Sequence, residues 1–130
     1  MNINDIERKH MTFAVQWCQE KWGVSKFKRN LPTLYMSNSK NPINFGLYYL
    51  KGNRIVVYIN AHKTALDIFS TIIHEYTHYL QDMNKYVNYK NKNYNKHPYE
   101  ITAYNREKKF KWELKKAVTE YFGKKSHILI

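Results

Sequence analysis

Ile72-Ile73-His74-Glu75-Tyr76-Thr77-His78-Tyr79-Leu80-Gln81 is the stretch on which the reading of this chain turns. Its centre, residues 74–78, has the form H-E-x-x-H and lies inside an apolar run of helical period. Two histidines four apart on a helix sit one above the other on the same face. Both imidazoles can then reach one metal ion. The glutamate beside the first can face the ion's open position and take a proton from water. Carrying two imidazoles and a carboxylate into a core is costly unless something pairs with them. A chance match in a chain of this composition has odds of about one in a hundred. The motif is therefore read as a zinc site, with Glu75 as catalytic base and His74 and His78 as ligands. The reaction class that follows is zinc-assisted hydrolysis, most often of peptide bonds.

The motif helix needs a start and a partner surface. Thr64 or Asp67 can open it, and Leu66, Phe69, Ile72, Ile73, Tyr76 and Leu80 mark its buried side, to about residue 84. Upstream, Asn2 or Asn4 can cap a first helix with Asp5 and Glu7 in its first turn. Ile6, His10, Phe13, Ala14, Trp17, Cys18 and Trp22 recur at helical spacing, and Gly23 is a natural stop. Between the two helices lie short strand candidates at residues 34–36, 45–50 and 54–60. Lys51-Gly52-Asn53 joins the last two as a tight hairpin, with Gly52 and Asn53 suited to positive φ. The fold class expected is α+β: an N-terminal scaffold helix, a small three-stranded sheet, the metal helix and a C-terminal helix, in one domain over residues 1–130.

After the metal helix the pattern dissolves. Residues 84–96 hold Lys, Asn and Tyr with no acid, which reads as an exposed loop. His97-Pro98-Tyr99-Glu100 restarts a helix, with His97 as cap, Pro98 at the first position and Glu100 in the first turn. Ile101, Tyr104, Phe110, Leu114, Val118 and Tyr121 give it an apolar side, and Gly123 ends it. Its exposed side is basic: Arg106, Lys108, Lys109, Lys111, Lys115 and Lys116. Residues 126–130 form a short apolar tail.

Catalytic zinc usually has three protein ligands plus water. No His or Gly follows His78 until His97, so an early third histidine is absent. Residue chemistry alone leaves two candidates, Glu100 and His97. Glu100 has a second explanation, because acids in a first helical turn satisfy orphan N–H groups and the helix dipole.

Ile-His-Glu-x-x-His-x-Leu-Gln, then a polar loop, then Pro-x-Glu-x-x-Ala resembles the small gluzincin metallopeptidases. These include minimal bacteriophage and bacterial zincins and the ImmA/IrrE-type peptidase domains. The resemblance covers roughly residues 44–107. It implies a zincin-like domain, Zn2+ as cofactor, and Glu100 of Glu100-Ile101-Thr102-Ala103 as third metal ligand, with Ala103 small so that two helices approach closely. It also implies a peptide or protein substrate. Strand 55–59 resembles the edge that pairs with extended substrate in zincins. His97, Tyr99 and Tyr104 are candidate donors to the transition state. Asp82 and Asp67 are candidates to orient the imidazoles. Two alternatives stay open: a zincin fold kept as a structural or virion part, and a SprT-like, nucleic-acid-associated protein in which His97 completes the site.

Composition sets the remaining bounds. With 130 residues and 43% hydrophobic, the chain can bury a real core. The single cysteine, Cys18, excludes an internal disulfide and reads as a core residue. No apolar run is long enough to span a membrane, and residues 1–5 lack the features of a signal peptide. The expected location is therefore cytoplasmic, or the virion if the chain is phage-encoded. A net charge of +12 suits an acidic partner such as nucleic acid, or else a solvated lysine-rich surface. Lys85, Lys90, Lys92 and Lys96 alternate with Tyr86, Tyr89 and Tyr94, a pattern fit for single-stranded nucleic acid or for a rim that recruits acidic peptides.

Overall fold

In the computed structural model, residues 3–28, 30–40, 42–89 and 93–129 are described. The first helix, α1 (Arg8–Trp22), begins later than the asparagines suggest. The Glu7 N–H donates to His10 Nδ1 at 2.9 Å, closing the first turn, and Ile3–Asp5 forms a separate 3₁₀ turn. Gly23 ends α1 as its residue type predicts: its φ is 79°, and its N–H donates to the Gln19 carbonyl at 2.7 Å.

Three strands follow: β1 (Thr33–Ser37), β2 (Gly46–Tyr49) and β3 (Arg54–Tyr58). Gly52 and Asn53 take positive φ between β2 and β3, at 88° and 47°. The sheet order is β1-β3-β2. β1 runs parallel to β3 with Leu34 opposite Ile55, and β2 runs antiparallel to it with Tyr48 opposite Ile55. The strand before the metal helix is thus central, which overturns its expected place at the edge. β2 is the edge on the side of the site. The physical reason is that β3 alternates a fully buried pair, Ile55 and Val57, with half-buried Val56 and Tyr58. Such a strand is stabilised best with a neighbour on each side.

Helix α2 (Ala65–Leu80) carries the H-E-x-x-H motif. Thr64 caps it, its hydroxyl accepting from the Asp67 N–H at 3.1 Å. It stops at Leu80 rather than near residue 84, because Gln81 turns extended. Every residue from 71 to 79 is buried. A helix buried all round must be walled on several sides. The sheet and α1 cover one side and α3 (Pro98–Leu129) covers the other. Ile68, Phe69, Ile72, Ile73 and Tyr76 join Met11, Ala14 and Cys18 of α1, Ile55 and Val57 of β3, and Leu114 and Val118 of α3 in one core. Burial pushes the Cys18 thiol far up, so it is an inert core residue.

α3 departs from expectation in two ways. Its 32 residues run through Gly123, where the penalty of about 1 kcal/mol for an interior glycine does not outweigh helical continuity. Its buried stripe is also rotated: Ala103, Leu114 and Val118 are inside, whereas Ile101, Tyr104 and Tyr121 are more than 40% exposed. Arg106 is half-buried, its guanidinium 4.8 Å from the Trp22 ring, and so leaves the expected basic face. Among the described residues no helix is long and apolar enough to cross a membrane.

β2 lies very close to α2 at one point. A Cβ on Gly46 would stand 2.6 Å from Thr71 Cγ2 and 3.0 Å from the Val56 carbonyl oxygen. Gly46→Ala should therefore force the edge strand off the helix, at a cost of about 1–3 kcal/mol. Denaturant unfolding would measure it. Unchanged stability would mean that β2 does not sit this tightly on α2.

Candidate metal centre

His74 and His78 are one turn apart on α2, with ring centroids separated by 4.9 Å. Their spacing puts both on the face that α3 covers. Pro98 starts α3 in the position that needs no N–H, and Glu100 falls in its first turn. Buried Ala103, with no side chain beyond Cβ, lets α3 lie close to α2. Glu100 Oε1 comes within 2.8 Å of His74 Nε2 and 3.0 Å of His78 Nε2. The three donors lie within 4.8 Å of one another, and all three residues are buried.

The hydrogen bonds fix which nitrogen does what. The Gln81 amide nitrogen donates to the Tyr99 carbonyl at 3.1 Å, which leaves its oxygen facing His78. His78 Nδ1 donates to that Gln81 Oε1 at 2.7 Å. With its proton on Nδ1, a neutral His78 presents a bare Nε2 to a carboxylate oxygen, and two lone pairs at 3.0 Å repel unless a cation lies between them. His74 is similar: Nε2 faces Glu100, and Nδ1 is 3.7 Å from Glu107 Oε1. Two imidazoles thus stand among three carboxylates, those of Glu75, Glu100 and Glu107. A proton or a metal ion must fill the gap. Tetrahedral zinc places its ligand atoms about 3.3 Å apart, a few tenths of an ångström wider than the two contacts made by Glu100. With the three donors within 4.8 Å of one another, the set can hold such an ion once Glu100 Oε1 draws back from the two nitrogens.

The titration behaviour of the metal-free site follows. Burial alone would lower His74, but the hydrogen-bonded Glu100 and the Glu107 carboxylate 3.7 Å away overcome it and hold His74 up at about 10. Burial alone would raise Glu100, but the two histidines hold it well below the usual carboxylate range. Burial raises Glu75, which keeps an appetite for a proton nearer to neutral pH.

A cleft of about 370 Å³ opens beside the group, lined by His74, Glu75 and Thr71 of α2, Tyr104 and Glu107 of α3, residues 43–46 and Tyr94. Of the three sequence candidates for an electrophilic donor, Tyr104 lines this cleft, with its ring 4.7 Å from His74. Tyr99 and His97 do not. His97 is buried, its Nε2 donating to the Tyr86 carbonyl at 2.9 Å and its Nδ1 accepting from the Tyr99 N–H at 3.1 Å. With both nitrogens engaged it braces the connection and does not join the metal group.

Several functional contacts were not anticipated. The groups that orient the imidazoles are Gln81 and Glu107, not Asp82 or Asp67. Asp82 faces Lys85 at 3.9 Å, and Asp67 is exposed at the start of α2. Gln81 could have been found one helical turn beyond His78; Glu107 could not, because it depends on how α3 crosses α2. The segment read as an exposed loop contains a 3₁₀ run, Met83–Tyr89. Tyr86 turns inward, donates to Glu100 Oε2 at 2.5 Å and stacks on His97 at 3.7 Å. Tyr89 packs against His97 and Tyr99. Lys90 and Lys92 lie outside the described residues. His62, which no sequence pattern singles out, accepts from the Thr71 hydroxyl at 2.8 Å and donates to the Tyr58 carbonyl at 2.7 Å, tying α2 to the end of β3.

No protein-family model, curated protein or solved structure matches this chain. What the site can do therefore rests on its own geometry.

The metal-free pair has a defined pH window. Glu100, held below its ordinary 4.5, contributes stability above that value and loses it in acid. His74, held up at about 10 from 6.5, contributes fully below 6.5 and loses it as pH rises to about 10. The stability difference between chelator-treated parent and Glu100→Gln should thus peak between pH 4.5 and 6.5, at about 3 kcal/mol. It should shrink toward pH 10. Taking the difference cancels the effect of overall charge. A difference that grew from pH 6.5 to pH 10 would rule out the charged pair.

Proposed function

We propose that this protein is a zinc-dependent hydrolase of peptide bonds with a zincin-like site, in which His74, His78 and Glu100 hold the metal. The observation that carries this reading is one oxygen, Glu100 Oε1, poised at 2.8 and 3.0 Å from two Nε2 atoms. Two imidazoles and one carboxylate are the donor set of open zinc sites, which keep a position for water or substrate; closed structural sites take four protein ligands. Among the described residues no fourth donor joins the group.

The Lewis acidity of a bound zinc polarises a carbonyl and lowers the pKa of water toward neutrality. The chain supplies the rest. Glu75, in the cleft wall beside His74, accepts the proton of the attacking water and returns it to the leaving amine. Its raised pKa brings its proton affinity closer to that of both partners. Tyr104 and Tyr94 also line the cleft, and burial raises both phenols, which keeps them protonated. They can donate to the negative charge that develops on the substrate oxygen. Extended substrate would pair with β2, the edge strand that meets the cleft at Gly46. Backbone pairing gives affinity with little sequence choice. Gln81 and Glu107 keep the two rings in place while this happens.

Metal analysis of the pure protein should find about one zinc per chain. Glu75→Gln should keep that zinc and slow cleavage of an unfolded protein substrate by about 10²–10⁴-fold. Absence of zinc after mild purification would remove the metal reading itself. Zinc present, with the variant cleaving as fast as the parent or neither cleaving, would leave a metal-binding fold that serves as a structural or virion part.

A further inference from the structure

Trp112 stands out on the solvent side of α3, where it is 61% exposed. It is not needed for packing: Leu114 and Val118, fully buried, fill that role on the opposite side of the helix. Helical periodicity surrounds it with lysines. Lys108 and Lys109 stand four and three positions before it, and Lys115 and Lys116 three and four positions after. These are the four nearest neighbours on a helix surface. The Lys115 ammonium lies 5.4 Å from the indole centroid. Among the described residues Lys108, Lys109 and Lys115 have no carboxylate partner, and Lys116 has only a loose one, Glu120 at 4.0 Å. Glu113 is turned away and pairs with Lys21 of α1 at 2.7 Å. The result is a flat ring with two lysines one turn before it and two one turn after, spanning about 12 Å of the helix axis; the Lys109 ammonium also reaches over the Phe110 ring at 5.4 Å.

We infer that this face of α3, centred on Trp112, binds single-stranded nucleic acid. The lysines meet phosphates and the indole stacks on a base. The chemistry favours a single strand over a duplex, because a duplex hides its base faces in its own stack. It disfavours a lipid surface, because Asn105 and Thr119 flank Trp112 where a membrane-facing helix needs more apolar residues. The other tyrosine–lysine segment is less suited: Tyr86 and Tyr89 are turned inward onto Glu100 and His97. The face lies about 18 Å along α3 from Glu100, so the inference does not depend on zinc or on hydrolysis.

Fluorescence anisotropy with labelled oligo-dT and oligo-U strands, on full-length protein, tests it. Four phosphate contacts predict that log K falls with log salt at a slope of about −3. Trp112→Ala should weaken binding by about tenfold or more with the slope nearly unchanged, and Trp112→Phe should recover much of the loss. Replacing Lys108, Lys109, Lys115 and Lys116 by Ser should flatten the slope by about 3. All five positions face solvent or lie at its border, and circular dichroism would verify that the variants fold. Equal binding by parent, Trp112→Ala and the lysine variant would overturn the inference. So would binding to phosphatidylserine vesicles with none to either strand, or duplex binding as tight as single-strand binding.

Discussion

Everything at the centre of this molecule depends on one electrostatic constraint: buried imidazoles face buried carboxylates, and a cation has to lie between them. Gln81 accepts a hydrogen bond from His78 Nδ1, so a neutral His78 has a bare Nε2. Glu100 then points a carboxylate oxygen at that nitrogen from 3.0 Å. In water such an arrangement would relax. Here the residues are more than nine-tenths buried, and leaving either charge unpaired would cost several kcal/mol. Protonation of the pair is one solution and a divalent ion is the other. The same geometry accounts for the raised His74 and the depressed Glu100.

The scaffold enforces this closeness by burying α2 on all sides. Tyr76 donates to the Gly23 carbonyl at 2.6 Å and Tyr79 to the Asn30 carbonyl at 3.0 Å, so the back of the helix is tied to the segment after α1. His62 ties its flank to the sheet through Thr71. Gly46 allows β2 to come against the same flank. The side that carries His74 and Glu75 opens to the cleft. The chemistry that a site can perform depends on such fixed positions, because misplacement by an ångström can cost orders of magnitude in rate.

How much of this the sequence reveals differs by element. The two histidines and Glu75 are legible because four-residue spacing on a helix is a local property. Glu100 is legible only through its place in a first helical turn and through the resemblance of its surroundings. The three strands are legible from alternation, but their order is not: which strand lies in the middle depends on long-range pairing. The rotation of α3 by part of a turn is not legible, because Ile101, Tyr104 and Tyr121 are apolar enough to suggest an inner face, while the helix buries Ala103 and half-buries Glu107 on the side of the site. Tyrosine misleads for the same reason at residue 86. A polar, lysine-rich segment reads as solvated, yet the phenol of Tyr86 is long enough to cross to Glu100.

That last contact bears on how the site is held. Glu100 uses Oε1 for the histidines and Oε2 for Tyr86, so the rotation of its carboxylate is set from outside the two helices. The 3₁₀ run that carries Tyr86 has few apolar anchors, and Val87 within it is 64% exposed. Segments with little buried apolar surface open more easily than the core. The order of this segment then depends on contacts at the site: the Tyr86 hydroxyl on Glu100, the Tyr86 carbonyl on His97, and the Tyr86 and Tyr89 rings against His97 and Tyr99. An ion that binds the closed arrangement more tightly than the open one stabilises that segment by mass action. The connection and the metal group are in this sense one cooperative unit.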